Sequence, residues 1–470
     1  MTRFRRPAVA LFQRKCLAAC VAAFFGAHAI ASIADDGVIE WPSFDRMPQA
    51  NPKIRTVTNC DDTGQGSLRD TIFNATTGDL IDLTQLTCSE ITLYTGKIAV
   101  SSADLTLLGP GLAPDAINHV TINGYDDRIF TQGTGALTIS GLTLRKGHYA
   151  GNFARGGCIS SSGTLVIQDS IVTECEVDLA YASNTFAAGG AIYTQGDLWL
   201  QNSVVSDSVA YSPTQHAYGG GVFAAYNVTI VQSTIANNKA VAPQSYSMGG
   251  GLKVIGFGAV ELLRSTLSGN EARLGGGMHV DTLGASRIID STLSDNYATA
   301  YAGAAFFTHG PVRLMSSTVT RNTAYAYTAG IVSDFTPLMA DPVVVQNSIV
   351  ADNRAIASAV AYDVTAQSIG GGSSLIMSAN TSTPAGTLTG CPRLSALKDH
   401  GGKTPTHALL PGSPGIDVGD DSGLTVDQRG GGYARVVGVK ADIGAYEWQG
   451  DHRDDDMFRS AFEIECDRYE

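Results

Sequence analysis

Charged residues are scarce in this sequence of 470 residues, where they make up 16% of the chain. Acidic residues outnumber basic ones by 44 to 31, and the formal net charge is −13. An acidic surface disfavours nucleic acid and anionic membranes as partners, because both repel it. The same charge disfavours the unassisted binding of acidic polysaccharides.

The sequence also lacks the patterns of long helices and of metal sites. No apolar run in the middle of the chain sustains a 3.6-residue period, so we expect few helices. Beyond residue 34 no segment is apolar enough to cross a membrane as a helix. No Cys-x-x-Cys or cysteine/histidine cluster has zinc spacing, so we predict neither a metal site nor a cofactor.

The first 34 residues have the order of a secretory signal peptide. Arg3, Arg5 and Arg6 precede a short apolar segment at 17–27, and small residues follow it. We expect residues 1–34 to be removed, residues 35–56 to form a linker, and the mature protein to be secreted or held on the outer surface of a bacterium. Cleavage at Cys20 as a lipoprotein is the less favoured alternative, because basic residues lie directly upstream of it.

Two marks recur through the middle of the chain. The first is a pair of glycines, or Ala-Gly in the last instance, before an apolar segment: Gly156-Gly157, Gly189-Gly190, Gly219-Gly220, Gly249-Gly250, Gly275-Gly276 and Ala302-Gly303. The second is a serine that returns every 26 to 33 residues: Ser170, Ser203, Ser233, Ser265, Ser291, Ser317 and Ser348. Five positions after each serine stands a polar residue: Cys175, Ser208, Asn238, Asn270, Asn296, Asn322 and Asn353.

A motif that recurs at such intervals predicts a solenoid. Within one interval, short segments rich in Val, Ile, Leu, Thr and Ser alternate apolar and polar residues, which favours two or three strands per coil. The fold class we predict is all-β, a right-handed parallel β-helix with a helical N-terminal cap and an irregular C-terminal cap. We assign 57–136 to the N-terminal cap and first coils, 137–380 to the repeats, 381–448 to the C-terminal cap and 449–470 to an acidic tail.

The asparagines of the second mark suit the corners of such coils. Asparagine tolerates left-handed backbone geometry, and its side chains bond one another when coils stack. We therefore predict a structural ladder of Asn238, Asn270, Asn296, Asn322 and Asn353. The glycine pairs are expected where backbones bend and pass closely.

Three parts of the chain carry resemblances to known families. Gly66-Ser67-Leu68-Arg69, with Leu107 to Gly111, resembles the CSLREA-type start of bacterial secreted β-helix proteins. Residues 407–417, 427–430 and 441–447 resemble the choice-of-anchor Q region that closes such proteins. Gly189-Gly190-Ala191-Ile192 matches the GGAI repeats of polymorphic outer membrane proteins. These resemblances imply an exported β-helix and leave its activity open.

Six cysteines remain after removal of the leader, an even number that permits disulfides in an exported protein. Cys60 with Cys88 would join parts of the N-terminal region. Cys158 with Cys175 would join neighbouring parts of the first coils.

No catalytic set is visible in the sequence. The four motifs of polygalacturonase-like enzymes are not assembled, and Arg264, Arg273, Arg287, Arg313 and Arg321 are scattered. We expect the single histidines to face solvent, a set that comprises His148, His216, His279 and His309. We expect the carboxylates of the C-terminal region to serve capping and ion pairs with Arg429 and Arg435; these are Asp417, Asp427, Asp442 and Glu447.

Aromatic residues supply the one constellation that points to a ligand. Tyrosines recur in the loop before each glycine pair, and stacking of the coils would align them on one flank. The candidate ligand-binding residues are Tyr181, Tyr211, Tyr218, Tyr246, Tyr297, Tyr301, Tyr325 and Tyr327. The flank favours a non-catalytic binding or adhesion module for a polysaccharide or a cell-surface protein. A polysaccharide lyase or glycoside hydrolase and a structural envelope component are the alternatives.

Overall fold

The computed structural model describes residues 53–101, 104–111, 119–180, 184–333, 342–358 and 361–449. These residues form a parallel β-helix of about ten turns, which confirms the predicted fold class. The predicted signal peptide, the linker up to residue 52 and the tail from residue 450 lie outside the described residues.

A complete coil contains five strands, whereas the sequence predicts two or three. One coil runs through Ile192–Thr194, Leu198–Gln201, Val204–Ser206, Val209–Tyr211 and Ala217–Tyr218. The first three belong to sheets that we number 1, 2 and 3, and the last two both belong to sheet 4. The segment before each glycine pair, expected to be a loop, therefore leaves the coil and returns to it as β-structure.

Sheets 1 and 2 are wholly parallel within the described residues. The strands of sheet 1 are Ile98–Val100, Phe130–Gln132, Ile159–Ser161, Ile192–Thr194, Val222–Ala224, Leu252–Gly256, Met278–Thr282, Ala305–Phe307, Thr328–Ser333 and Tyr362–Thr365. The strands of sheet 2 are Ile54–Thr56, Leu80–Asp82, Leu105–Leu108, Ala136–Ser140, Thr164–Gln168, Leu198–Gln201, Val228–Val231, Val260–Leu263, Ser286–Ile289, Val312–Met315, Val343–Gln346 and Ile369–Gly372.

Sheets 3 and 4 complete the coil. The strands of sheet 3 are Glu90–Thr92, Thr121–Asn123, Thr143–Arg145, Ile171–Thr173, Val204–Ser206, Thr234–Ala236, Thr266–Ser268, Thr292–Ser294, Thr318–Thr320, Ile349–Ala351 and Leu375–Ile376. The outgoing strands of sheet 4 are His148–Gly151, Glu176–Leu179, Val209–Tyr211, Lys239–Val241, Glu271–Leu274, Tyr297–Tyr301, Thr323–Ala324 and Arg354–Ala355. Its separate returning strands are Ala187–Ala188, Ala217–Tyr218 and Ser247–Met248.

The core fills the space inside sheets 1, 2 and 3. Alternate residues of each strand point inward, so that Ile192, Leu198, Leu200 and Val205 of one coil are all buried. Register stacks each on its counterpart in the next coil, as Leu198 stacks on Val228. Full burial of such a side chain contributes about 1.5–3 kcal/mol, so the column of apolar residues is the main stabilising element.

Two buried ladders of hydrogen bonds run along the corners on either side of sheet 3. In the first, each backbone N–H donates to the serine hydroxyl of the next coil, as Ser203 donates to Ser233 at 3.0 Å. In the second, Asn270 donates through its backbone N–H to Oδ1 of Asn296 at 3.1 Å and through Nδ2 at 2.9 Å. The same pattern joins Asn238, Asn270, Asn296, Asn322 and Asn353.

The left-handed corner residue precedes each ladder residue. Asn237 and Asp295 have φ of 59° and 57°, whereas Asn238 and Asn296 do not have positive φ. Our expectation that the ladder asparagines themselves take this geometry is therefore wrong. The chain reverses one residue earlier, which leaves the asparagine side chain pointing inward.

The glycine pairs meet two separate demands of the coil. The first residue of each pair has positive φ, and Ala302, which replaces glycine in the last pair, keeps it at 59°. The second glycine lies against the next coil. A Cβ on Gly220 would stand 2.3 Å from the carbonyl carbon of Lys239, so no larger residue fits there.

The predicted helical cap is the helix Leu68–Phe73, which we call α1. Ser67 is its N-cap and accepts a hydrogen bond from the backbone N–H of Asp70. Leu68 and Ile72 are buried against the first coils, which closes the open end of the core.

The irregular C-terminal region covers the end of the β-helix and then packs along sheet 3. Leu388 pairs with Leu375 of the last coil. Residues 404–445 then bond to a column of threonines: Thr266 donates to the carbonyl of Pro405, Thr292 to Oε1 of Gln428, and Thr318 accepts from the N–H of Ala445. The region therefore encloses the outer face of sheet 3 across several coils.

Two disulfides have the pairing that the sequence suggested. Cys60 is bonded to Cys88 with their Cα atoms 6.4 Å apart, and Cys158 to Cys175 with theirs 5.6 Å apart. Both lie in the N-terminal part of the fold, where they brace the first coils.

Candidate functional site

The candidate tyrosines lie on sheet 4 or on the loops beside it. Tyr211 and Tyr297 are half-buried in outgoing strands, and Tyr218 is half-buried in a returning strand. Tyr181 lies outside the described residues. The exposed members are Tyr246, Tyr301, Tyr325 and Tyr327, whose exposed fractions are 46%, 42%, 54% and 59%.

A row of apolar and aromatic side chains runs along the returning side of sheet 4. Register places Ala188, Tyr218, Met248, Leu274 and Tyr301 in adjacent coils. Tyr218 and Tyr301 are three coil steps apart, which is about 14 Å at the usual interstrand spacing. The row packs against the outer face of sheet 1, where Tyr218 contacts Phe223.

The outer face of sheet 1 lies against this row. Register there aligns Tyr193, Phe223, Lys253, His279 and Phe306 in one column. The first four of these residues are buried, and we call the region where the column meets the row the sheet 1–sheet 4 junction.

Aromatic rings pack together at one end of the junction. The rings of Tyr193 and Phe223 are stacked with centroids 5.1 Å apart, and Tyr218 of the sheet 4 row lies 6.4 Å from Phe223. Phe186 packs 5.1 Å from Tyr218. These contacts hold the sheet 4 row against sheet 1.

Tyr246 extends this aromatic cluster toward solvent. The imidazole of His216 lies 5.7 Å from the ring of Tyr218 and 5.9 Å from that of Tyr246. The guanidinium of Arg273 lies 4.7 Å from the centroid of the Tyr246 ring. A cation–π contact and a neighbouring imidazole hold the exposed ring in one orientation.

The centre of the sheet 1 column holds a buried lysine. Lys253 is 2% exposed, and its Nζ lies 2.6 Å from Nδ1 of His279, which is 3% exposed. Burial lowers the pKa of Lys253 to about 7, and the charge of Asp281 opposes that shift only in part. Burial, followed by the charge of Lys253, lowers the pKa of His279 well below its usual value.

A partly exposed imidazole–carboxylate pair lies beside this lysine. Nδ1 of His309 is 2.8 Å from Oδ1 of Asp281, and both side chains are partly exposed. Oδ2 of Asp281 lies 4.0 Å from Nζ of Lys253. A carboxylate that accepts from Nδ1–H leaves Nε2 of the imidazole as a proton acceptor, so the pair has the geometry of a general base.

The structure corrects our expectation for one of the four histidines. His279 does not face solvent but is buried beside Lys253. His309 is partly exposed and pairs with Asp281. One sequence signal was available: Tyr193, Phe223, Lys253, His279 and Phe306 each stand four residues after the first member of a glycine pair or its Ala-Gly equivalent.

The carboxylates of the C-terminal region make hydrogen bonds and ion pairs within that region. Asp427 accepts from Nη2 of Arg429 at 2.6 Å, and Glu447 accepts from the backbone N–H of Asp442 at 2.7 Å. Arg435 differs from expectation, because its ionic neighbour is Asp290 of the β-helix, 3.8 Å away. Burial raises the pKa of Asp290 to about 7, and Arg435 opposes the shift.

Among the residues that the structure describes, no group of three or more His, Cys, Asp or Glu side chains is arranged to hold a metal ion. In the same part of the chain, no helix has the length and apolar character to cross a membrane. No family model matches this chain, and neither a curated protein nor a solved structure matches it.

Proposed function

We propose that this chain is an exported, cell-surface or extracellular protein that binds extended glycan chains without cleaving them. The observation that carries the proposal is the row of tyrosines and apolar residues along sheet 4, with Tyr246, Tyr301, Tyr325 and Tyr327 exposed beside it. Exposed aromatic rings on one flank of a solenoid suit the stacking of successive sugar rings.

The physical character of this flank supports a neutral ligand. Tyr218, Leu274 and Tyr301 supply apolar surface, and the chain as a whole is acidic. Stacking depends little on salt, whereas a contact made by ion pairs weakens as salt screens it. Because the sites repeat along the solenoid, no single ring should account for the affinity.

The test is a glycan array followed by titration of the best neutral oligosaccharide. Replacing Tyr246, Tyr301, Tyr325 and Tyr327 together by Ser should abolish binding. Each ring is worth about 1 kcal/mol, so a single substitution should weaken binding only several-fold.

The matched control replaces exposed tyrosines elsewhere on the molecule. Tyr94 and Tyr125 are 69% and 53% exposed, lie near the N-terminal end and contact each other at 5.2 Å. Their replacement by Ser should leave binding unchanged. Equal binding by the flank variant, with an unchanged circular dichroism spectrum, would rule out the tyrosine flank.

A second candidate function rests on Lys253, Asp281 and His309. A buried lysine with a lowered pKa beside an imidazole–carboxylate pair favours proton transfer, as a polysaccharide lyase or glycoside hydrolase requires. In this alternative His309 acts as the base, Asp281 orients it, and Lys253 sets the charge around the carboxylate.

The two functions are separated by turnover. Incubation with a panel of polysaccharides, followed by assays for new reducing ends and for unsaturated products, should give no signal if the protein only binds. Turnover that is lost in His309→Gln and retained in the control His148→Gln would establish the enzyme instead. His148 is a suitable control because it also pairs with an aspartate, Asp178, at 3.2 Å, but on sheet 4.

A further inference from the structure

A second surface feature lies on sheet 2, away from the tyrosine flank. Register aligns Glu261, Arg287, Arg313 and Val344 in one column of outward-facing side chains. The arginines, scattered in the sequence, are direct neighbours in adjacent coils, about 4.8 Å apart along the ladder. Two guanidinium groups so placed repel each other unless anions lie beside them.

Only one of the two positive charges is balanced within the described residues. Nη1 of Arg287 lies 2.8 Å from Oε1 of Glu261, a carboxylate that is almost completely buried. Arg313 is exposed, and no described carboxylate lies within ion-pairing distance of it. The column therefore presents one uncompensated cation on a chain whose net charge is −13.

A cavity of about 330 Å³ adjoins the two arginines. Pro311, Pro342 and Val344 contribute to its lining together with Arg287 and Arg313. Its volume lies at the lower end of the range for small-ligand sites. Rigid proline rings and an aliphatic side chain beside two guanidinium groups suit a compact ring that carries an anionic group.

We propose that this cavity binds a carboxylate carried on a six-membered ring. The carboxylate would lie against Arg313 and the free edge of Arg287, and the ring would pack on Pro311, Pro342 and Val344. The planar guanidinium can bind a carboxylate with two parallel hydrogen bonds, and a free inorganic anion has no ring to pack on the prolines. The site is independent of the tyrosine flank and does not rest on the function proposed above.

The test is a calorimetric titration of the full mature chain with sodium glucuronate and with sodium cyclohexanecarboxylate. Both carry a carboxylate on a six-membered ring, and the comparison tells whether the preferred body is a sugar or a hydrocarbon. Glucose, which lacks the carboxylate, is the ligand control. We expect at least one of the two carboxylates to bind, glucose not to bind, and added salt to weaken the binding.

The variant Arg313→Gln should weaken carboxylate binding by about tenfold or more, because it removes the uncompensated cation. The matched control is Arg145→Gln, since Arg145 lies on sheet 3 beside Glu174 at 3.6 Å. Arg313 is exposed, so its replacement should leave the thermal unfolding midpoint unchanged. Absence of binding by both carboxylates, equal binding by the two variants, or binding of glucose as tight as that of glucuronate would overturn the proposal.

Discussion

The substitution Asn296→Ala tests the asparagine ladder most directly. Asn296 is completely buried, and its side chain makes four hydrogen bonds. Oδ1 accepts from the backbone N–H and from Nδ2 of Asn270, at 3.1 and 2.9 Å. Nδ2 donates to the carbonyl of Leu267 and to Oδ1 of Asn322, both at 2.9 Å.

Truncation to alanine affects these partners unequally. Nδ2 of Asn270 keeps its bond to the carbonyl of Ile235 at 2.9 Å, and Oδ1 of Asn322 keeps the backbone N–H of residue 296 at 3.1 Å. The backbone N–H of Asn270 loses its acceptor, and an orphaned buried donor costs about 1–3 kcal/mol. The cavity left by the amide group and the loss of the hydrogen bond to the Leu267 carbonyl add to this. We therefore expect a total loss of about 2–4 kcal/mol in the free energy of unfolding.

The assay is urea denaturation followed by far-ultraviolet circular dichroism. The matched control is Gln85→Ala, which removes an exposed amide and should change stability by less than about 0.5 kcal/mol. Asn296→Asp gives a second check. The carboxylate would face the oxygens of Leu267 and Asn322, so its destabilisation should be greater at neutral than at acidic pH. A midpoint for Asn296→Ala equal to that of Gln85→Ala would refute the reasoning.

Three further predictions concern buried groups. Lys253→Met should raise the free energy of unfolding by about 2–4 kcal/mol at or below pH 7. Lys253 has a pKa of about 7 in the folded protein, so above pH 7 only the unfolded chain keeps the proton. The gain should therefore shrink toward pH 10 in a series of denaturation curves. Burial raises the pKa of Asp363 to about 6, so the wild type should lose about 2–3 kcal/mol as pH rises from 4 to 6 while Asp363→Asn stays level; parallel pH profiles would contradict this. Gly220→Ala should lower the thermal midpoint strongly because its Cβ would meet the backbone of Lys239. Gly431→Ala, where a Cβ meets nothing within 4 Å, should not; equal midpoints would count against close coil packing.

Those parts of the fold that repeat could be predicted from the sequence. Ser203 and Asn270 stand at fixed places in their repeats because a corner imposes the same hydrogen-bond demand on every coil. Gly219 and Gly220 recur for the same reason, one for its backbone angle and the other for the space that it leaves. A constraint that acts on every coil requires the same residue type at the same place in each repeat, so it can be recognised in a single sequence.

Features that depend on the meeting of different coils could not be predicted. Lys253 and His279 belong to separate repeats, and although both stand four residues after the first glycine of a pair, nothing in either repeat indicates that their side chains are buried in contact. Arg287 and Arg313 are 26 residues apart, and only the exact register makes them neighbours. The bond from Thr266 to Pro405 spans 139 residues, and its partner segment has no repeat pattern at all.

The corner ladders also give the β-helix a direction. In both, the backbone N–H of one coil donates to a side chain of the coil that follows it in sequence, as Ser203 does to Ser233 and Asn270 to Asn296. If the accepting side chain lay in the preceding coil, the corner N–H groups of each new coil would be bonded as soon as that coil formed. Here the corner N–H groups of each coil find their acceptors only in the coil that follows, and the backbone N–H of Asn353 donates to Oδ1 of Asp363.

The two ends of the solenoid therefore differ in how the corner N–H donors are bonded while the fold assembles. A chain that emerges N-terminus first always ends in a coil whose corner donors are open, and the next coil to emerge satisfies them. Assembly in that order stabilises the coils one after another, since each added coil accepts hydrogen bonds from the open donors of the coil before it. A chain shortened from the C-terminus would end in a coil whose ladder N–H groups have no acceptor, whereas one shortened from the N-terminus would keep every ladder N–H group bonded to the following coil.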